Sequence, residues 1–312
     1  QMTLSIVTTL YKSSQYIDEF YTRISKEAQK ITDDYEIIFV DDGSPDDSLQ
    51  KAVALYEKDS KVKVIELSRN FGHHKAIMTG LSYAKGEFVF LIDSDLEEEP
   101  ELLGKFWEEL LKEKELDVVF GVQESRKGGW FEKWSGEAFY KVFNFLSPTK
   151  VTANQTTVRI LTSRFIKALS DNLKEKNLFL AGNLEALGFK QKTLEIKKQK
   201  RQGSNYTFSK KIQLMINSIT SFSSKPLVYV FYLGSMISFF SFTYIAYLLI
   251  MRLFFGQPLV GWTSMIVSVW FMSGLIIFSI GVLGIYLSKI FDEVKQRPIT
   301  IIKKIYEGNK ND

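Results

Sequence analysis

Between Asp93 and Glu99 the sequence places five carboxylates, at Asp93, Asp95, Glu97, Glu98 and Glu99, with Glu101 just beyond. Like charges this close repel, so the run calls for a bound cation or a local field that favours acids. It follows the apolar stretch "FVFLI", which reads as a buried strand. Alternate side chains of a strand share a face, so Asp93, Asp95 and Glu97 are expected to converge on one cation. Hard oxygen donors without nitrogen or sulfur suit Mg²⁺ or Mn²⁺. The chain has no cysteine and only two histidines, His73 and His74. That composition excludes disulfides, thiolate metal sites, a cysteine nucleophile and a His-rich zinc centre. The histidine pair lacks companion ligands and reads as structural. Glu98, Glu99 and Glu101 precede a helix, where acids are favoured, and read as solvated first-turn residues.

The elements that must position these acids follow from periodicity. "LSIVTTLY" is a continuous apolar strand, and residues 17–31 form an amphipathic helix with Ile17, Phe20, Tyr21, Ile24 and Ile31 at helical spacing. "YEIIFVDDGS" is the next strand, and Pro45 with acids opens the helix after it. "VKVIELS", a helix over His73–Ala84, "EFVFLID", a helix from Pro100 to Glu113 and "DVVFGV" continue the alternation. Fully apolar strands separated by helices predict an α/β fold with a mostly parallel sheet covered on both faces. Ligands of such sheets bind beyond the carboxyl ends of the strands. Those ends carry Tyr11-Lys12, Asp41-Asp42-Gly43-Ser44, Ser68-Arg69-Asn70 and Asp93-Ser94-Asp95.

The 312 residues exceed what one such domain needs, and the net charge of +4 is too mild to imply a nucleic-acid partner. Leu227–Met251 and Thr263–Ser288 are uncharged and long enough to cross a bilayer, joined by a short Gly/Pro turn. Lys210, Lys211 and Lys225 precede the first span, and Lys289, Lys295, Arg297, Lys303 and Lys304 follow the second, whereas the connection holds only Arg252. Positive charge stays inside, so both termini and the N-terminal domain are expected on the cytoplasmic face of the inner membrane. The opening "QMTLSIVTTLYKSSQYI" lacks a basic n-region and reads as a strand, not a signal peptide. The expected organisation is a catalytic domain over 1–205, an interfacial helix over 206–225, two spans within 226–289 and a tail over 290–312. The interfacial helix puts Phe208, Ile212, Met215, Ile216, Ile219 and Phe222 on one face. Arg126 and Lys127 are expected on a loop bordering the site, with Trp130 and Trp134 as packing or interface anchors.

"VDDGSPDDS", "SRNFGHHKAIMTGLSYAKGEFVFLIDSDLEEEPELL" and the paired spans together resemble the polyisoprenyl-phosphate glycosyltransferases of glycosyltransferase family 2, over nearly the whole chain. The resemblance implies a GT-A nucleotide-sugar fold with Asp93, Asp95 and Glu97 as metal ligands. It implies a nucleotide-sugar site at Thr9, Tyr11, Asp41, Asp42, Arg69, Asn70, Asp93 and Ser94. It further implies catalytic roles for Asp95, Arg159, Arg201 and Ser204, the last two within "RQGSNY", and a homotetramer. Two departures stand out. The first strand ends Thr9-Leu10-Tyr11-Lys12-Ser13 where the family has P-x-Y-N-E, and "NQTTVRIL" replaces D-T-G-D-F-R-L, keeping Arg159 but substituting Asn154 and Thr157 for acids.

The implied reaction moves a sugar, most simply from a UDP-sugar, to a polyisoprenyl (undecaprenyl) phosphate with inversion. A phosphate's second pKa near 6 makes it an ionised nucleophile at neutral pH, so a missing carboxylate does not disable it (pKa about 6). An inactive membrane scaffold and a processive polysaccharide synthase are the alternatives. The synthase reading lacks a Q-x-x-R-W motif and the spans to enclose a polymer.

Overall fold

The computed structural model describes residues 3–123, 141, 145, 154–172, 187–197, 216, 219–220, 223–255 and 261–308. The chain divides into two compact units. One comprises Gln1–Lys141, Thr149–Thr207 and Arg297–Asp312, and the other Val142–Pro148 and Phe208–Gln296.

The first unit is built on β1 (Leu4–Leu10), α1 (Ile17–Gln29), β2 (Tyr35–Asp41), α2 (Ser48–Lys58), β3 (Val62–Leu67), α3 (His73–Tyr83), β4 (Phe88–Leu91), α4 (Leu102–Leu111), β5 (Val118–Gln123), β6 (Gln155–Thr162), α5 (Ser163–Asn172) and β7 (Gln191–Ile196). The strands join one sheet in the order β7-β5-β6-β4-β1-β2-β3, closed on its far edge by β8 (Ile302–Tyr306). β1 pairs in parallel with β2 and β4, as do β2 with β3 and β5 with β7; β6 runs antiparallel to β4 and β5, and β8 to β3.

Continuous apolar strands make sense once both faces are covered. Leu4, Ile6, Ile37, Phe39 and Phe90 point into a core shared with Phe20 and Ile24 of α1, Ala52 of α2 and Phe106 of α4. Their alternates Val7, Ile38, Val40, Val89 and Leu91 meet Ala76 and Ile77 of α3 and Phe165 and Leu169 of α5 on the other face. Period-2 strands buried on both sides leave no polar face for solvent. α3 sits closest: a Cβ at Gly80 would lie 2.5 Å from Val7 Cγ1 and 2.9 Å from Val40 Cγ2.

The sequence reading set 290–312 apart as a tail. In the structure part of that segment is a sheet strand, with a firm anchorage. Ser68 N–H donates to the Ile301 carbonyl at 2.9 Å, the Thr79 and Thr300 hydroxyls lie 2.7 Å apart, and Tyr56 O–H donates to the Gly308 carbonyl at 2.9 Å. Lys303 pairs with Glu66, and Glu307 with Lys63 and Lys85. An edge strand otherwise exposes unpaired backbone groups, and β8 covers that edge of β3.

The second unit contains α6 (Lys225–Phe255) and α7 (Trp262–Val294), of 31 and 33 residues. Within them Lys225–Leu248 and Ser268–Val294 have mean hydropathies of 1.5 and 2.1, and neither stretch is buried inside the protein. A core helix of equal hydropathy would be buried; these two present Phe239, Phe242, Trp270 and Ile277 outward. Gly234, Gly274, Gly281 and Gly284 face open space, since a Cβ at any of them meets nothing within 4 Å.

Candidate active site

The chain runs β1, β2, β3 outward in one direction and returns with β4 on the opposite side of β1. The carboxyl ends of β1 and β4 therefore form the sheet's topological switch point, where open α/β sheets bind ligands. Thr9 near the end of β1 and Tyr11 just past it lie there, and Asp93, Ser94 and Asp95 follow β4.

β1 stops at Leu10, and Lys12 turns the chain in the left-handed region at φ 56°. Three successive amides then dock on the β2–α2 loop. Lys12 N–H donates to Ser44 Oγ at 2.8 Å, Ser13 N–H to Ser48 Oγ at 3.0 Å and Ser14 N–H to Asp46 Oδ2 at 3.1 Å. Burial would raise the Asp46 pKa, but hydrogen bonds from Ser44, Ser48 and Ser14 outweigh it and hold the carboxyl down to about 2. Tyr11 itself is 46% exposed.

β2 delivers Asp41 and Asp42, both only 2% exposed. They do different work. Asp42 accepts the Phe71 and Gly72 amides at 2.7 and 3.0 Å, bracing the Arg69–Gly72 segment from beneath. Gly43, at φ 62°, presses backbone against backbone, because a Cβ there would fall 2.5 Å from Asn70 N and 2.6 Å from Arg69 C. The "DDGS" and "SRNFG" stretches are thus one structural piece, with the Arg69 guanidinium stacked 4.4 Å from the Phe71 ring centre and Arg69 and Asn70 exposed. Gly43→Ala is expected to destabilise the full chain by about 1–3 kcal/mol through overpacking and positive-φ strain. A thermal melt of the variant in detergent matching wild type would show that this contact gives way freely.

Asp41 accepts the Ser44 amide at 3.3 Å and lies in register with Glu66 of β3. Burial, against that backbone hydrogen bond and with the Glu66 charge adding to it, pushes its pKa up to about 6. A carboxyl whose folded pKa exceeds its unfolded value holds its proton better when folded. Its contribution to stability is therefore fullest below about pH 4 and is lost as pH rises through about 6. Asp41→Asn carries no charge at any pH, so its melting temperature should gain on wild type between pH 4 and 7. Parallel pH profiles for the two proteins would contradict this.

β4 is shorter than the sequence reading: it ends at Leu91, and residues 94–98 turn and bend the chain away. Leu96 is left-handed at φ 59°, and Glu97 N–H donates to Asp95 Oδ1 at 3.1 Å. Strand alternation therefore does not orient Asp93, Asp95 and Glu97. Among the described residues no three acidic or histidine side chains gather as a group that could hold a metal ion, so this structure does not bring the three expected ligands together. Asp93 and Asp95 remain as hard oxygen donors two residues apart at the switch point. Mg²⁺ and Mn²⁺ sites that also bind a diphosphate need only one or two carboxylates, so this donor set fits such an ion. Of the other acids, Glu99 is exposed and Glu101 pairs with Arg23 at 2.6 Å. Glu98, expected in solvent, is 0% exposed because the turn rotates it inward.

Ser94 O–H donates to the Thr9 carbonyl at 3.0 Å, tying the two strand ends together. His73, read from sequence as structural, belongs to the same place. Its Nδ1 is 3.1 Å from Thr9 Oγ1 and its Nε2 is 3.4 Å from Asp93 Oδ1. The available signal was positional: a residue opening the helix after "RNFG" faces the strand ends. Arg159 on β6 is buried, donating from Nε to the Thr157 carbonyl at 3.0 Å and from Nη2 to that of Thr156 at 2.7 Å. Asn154 occupies a left-handed position at φ 59°, which asparagine tolerates well. Arg201 and Ser204 lie outside the described residues, as do Arg126, Lys127, Trp130, Trp134 and most of the interfacial segment.

The sequence pattern of "Glycosyl transferase family 2" matches residues 5–171. A chain of Mycobacterium tuberculosis described as a glycosyltransferase is 48% identical over 305 residues, spanning 98% of this chain and 89% of that one. The bactoprenol glucosyl transferase of Shigella phage SfII is 32% identical over 311 residues, 99% of this chain and 100% of its own length. The mannosyltransferase PcManGT of Pyrobaculum calidifontis, solved with GDP-Man and Mn²⁺, shares the fold at a TM-score of 0.50 and 16% identity, over 69% of this chain and 62% of its own. The architecture is thus GT-A. With more than half its residues matched by the family pattern and relatives aligned along nearly all of its length, the chain belongs to glycosyl transferase family 2 and is a glycosyltransferase.

Proposed function

We propose that the protein transfers a sugar from a nucleotide-sugar, in the first instance UDP-glucose, to undecaprenyl phosphate at the cytoplasmic face of the membrane. One observation carries the reading: a paired-carboxylate turn at the switch point of a GT-A sheet shares a chain with two long apolar helices that the protein does not bury. The bactoprenol glucosyl transferase name of the phage relative supports the acceptor and the sugar. Strands β7 and β8 precede and follow the helix pair yet lie in one sheet, which supports an even number of crossings. The basic flanks support a cytoplasmic position for that side.

Asp41, beneath the loop formed with Ser44, and the exposed Arg69 and Asn70 line the nucleoside side; Thr9, Tyr11 and Ser94 border the diphosphate. Asp93 and Asp95 would hold Mg²⁺ or Mn²⁺, with Glu97 adding negative charge nearby. Such an ion, when bound, offsets the charge that builds on the departing diphosphate. The acceptor phosphate oxygen forms the new bond to the anomeric carbon as the bond to the nucleoside diphosphate breaks on the opposite face, inverting configuration. No proton need be removed, because the acceptor is ionised at neutral pH. Arg159, Arg201 and Ser204 are assigned to the acceptor phosphate. The open glycine positions on α6 and α7 suit close helix packing in a tetramer.

Full-length protein in membranes, given labelled UDP-glucose, undecaprenyl phosphate and Mn²⁺, should yield a lipid-linked monosaccharide that disappears with EDTA. A polymeric product would mean a processive synthase. No product with any UDP- or GDP-sugar would mean a scaffold.

A further inference from the structure

From a third element, His73 touches both strand ends of the switch point. Thr9 Oγ1 lies 3.1 Å from its Nδ1 and Asp93 Oδ1 lies 3.4 Å from its Nε2. A carboxylate only accepts, so any hydrogen shared with Asp93 comes from Nε2, and a ring with its hydrogen on Nε2 alone has Nδ1 open to accept the Thr9 O–H. Thr9 is itself held, being buried on β1 with its carbonyl accepting the Ser94 hydroxyl at 3.0 Å. Ser94 follows Asp93 in the chain, so Ser94, Thr9, His73 and Asp93 close a ring through β1, the start of α3 and the end of β4.

A ring of this kind removes the rotational freedom of each member. The choice of imidazole has a consequence for charge. Lysine or arginine at position 73 would orient Asp93 by ion pairing and so compete with a cation for it. A ring nitrogen set against the carboxylate fixes its orientation by contact, the arrangement by which outer-shell partners fix ligands of metal sites. Resting on the metal reading given under Proposed function, we infer that His73 is a positioning residue that holds Asp93 ready for the divalent ion, with Thr9 fixing the orientation of the imidazole.

The test is Mn²⁺ binding to the full-length protein in detergent with UDP present, read from the electron paramagnetic resonance signal of free Mn²⁺ rather than from turnover. His73→Ala should weaken Mn²⁺ binding about 10–100-fold. His73→Gln, which still offers a neutral N–H donor to Asp93, should recover most of that loss, and Thr9→Val should weaken binding in the same direction by a smaller factor. UDP binding without metal should be unchanged in His73→Ala, showing the crevice to be intact. Wild-type Mn²⁺ affinity in His73→Ala, or a glutamine variant no better than alanine, overturns the positioning role while leaving the metal reading standing. Failure of the wild-type protein to bind Mn²⁺ removes the metal reading itself and this inference with it.

Discussion

Asp95→Asn is expected to lower sugar transfer about 10²–10³-fold, close to the loss in Asp95→Ala, the scale on which one pre-organised electrostatic group acts at a transition state. The asparagine variant is the informative one. Asp95 Oδ1 accepts the Glu97 amide at 3.1 Å in a turn that also holds Leu96 in the left-handed region. Alanine removes both that hydrogen bond and the charge, whereas asparagine keeps an acceptor and removes only the charge. If the turn alone mattered, Asn would be nearly silent and Ala severe. If the carboxylate holds the cation, both are severe, and excess Mn²⁺ recovers little. Initial rates across a Mn²⁺ titration distinguish these cases, and an Asn variant with the wild-type rate and metal requirement would end the assignment.

Glu36→Ala should have the largest effect on stability, about 3–5 kcal/mol, because it strips the partner from a buried ion pair. Glu36 is 1% exposed at the start of β2 and accepts the Ser5 hydroxyl and, at 2.8 Å, the Lys85 amide. Its other oxygen lies 2.6 Å from Lys63 Nζ, which also reaches Glu307 at 2.7 Å. Although burial opposes it, the two carboxylates raise the Lys63 pKa, so the lysine stays charged and would be left with Glu307 alone. At two to four degrees per kcal/mol for a domain of this size, the melting temperature of the full chain should fall by about 10 °C. Glu36→Gln should fall between, since it keeps acceptors for Ser5 and Lys85. Because Glu307 follows β8, the alanine variant should also expose the C-terminal segment to protease before the rest of the domain. Melting at the wild-type temperature with an equally protected C-terminus would show the network to be marginal.

The local periodicities were enough for β1 to β5 and α1 to α4, because strands buried on two faces and helices buried on one leave their spacing in contiguous residues. The same holds for α6 and α7, whose charge-free length needs no partner to be recognised. The acid-rich turn stood out as a candidate site for a related reason: carboxylates this close repel one another unless something positive is near. Its geometry was not. Reading Asp93, Asp95 and Glu97 as alternate positions of a strand assumed that the strand continued, whereas it ends at Leu91 and the turn sends Glu98 into the interior.

What the sequence determined by itself is therefore β1 to β5, α1 to α4, the two apolar helices and the four strand ends where polar residues collect, since each depends on neighbours a few positions away. What the tertiary structure alone decided is which distant groups meet. β8 crosses more than two hundred positions to pair with β3, His73 lies between Thr9 and Asp93, and Asp42 braces Phe71 and Gly72. Such contacts form because backbone amides and buried charges must each find a partner, and the nearest partner in space is set by the packing of the whole sheet.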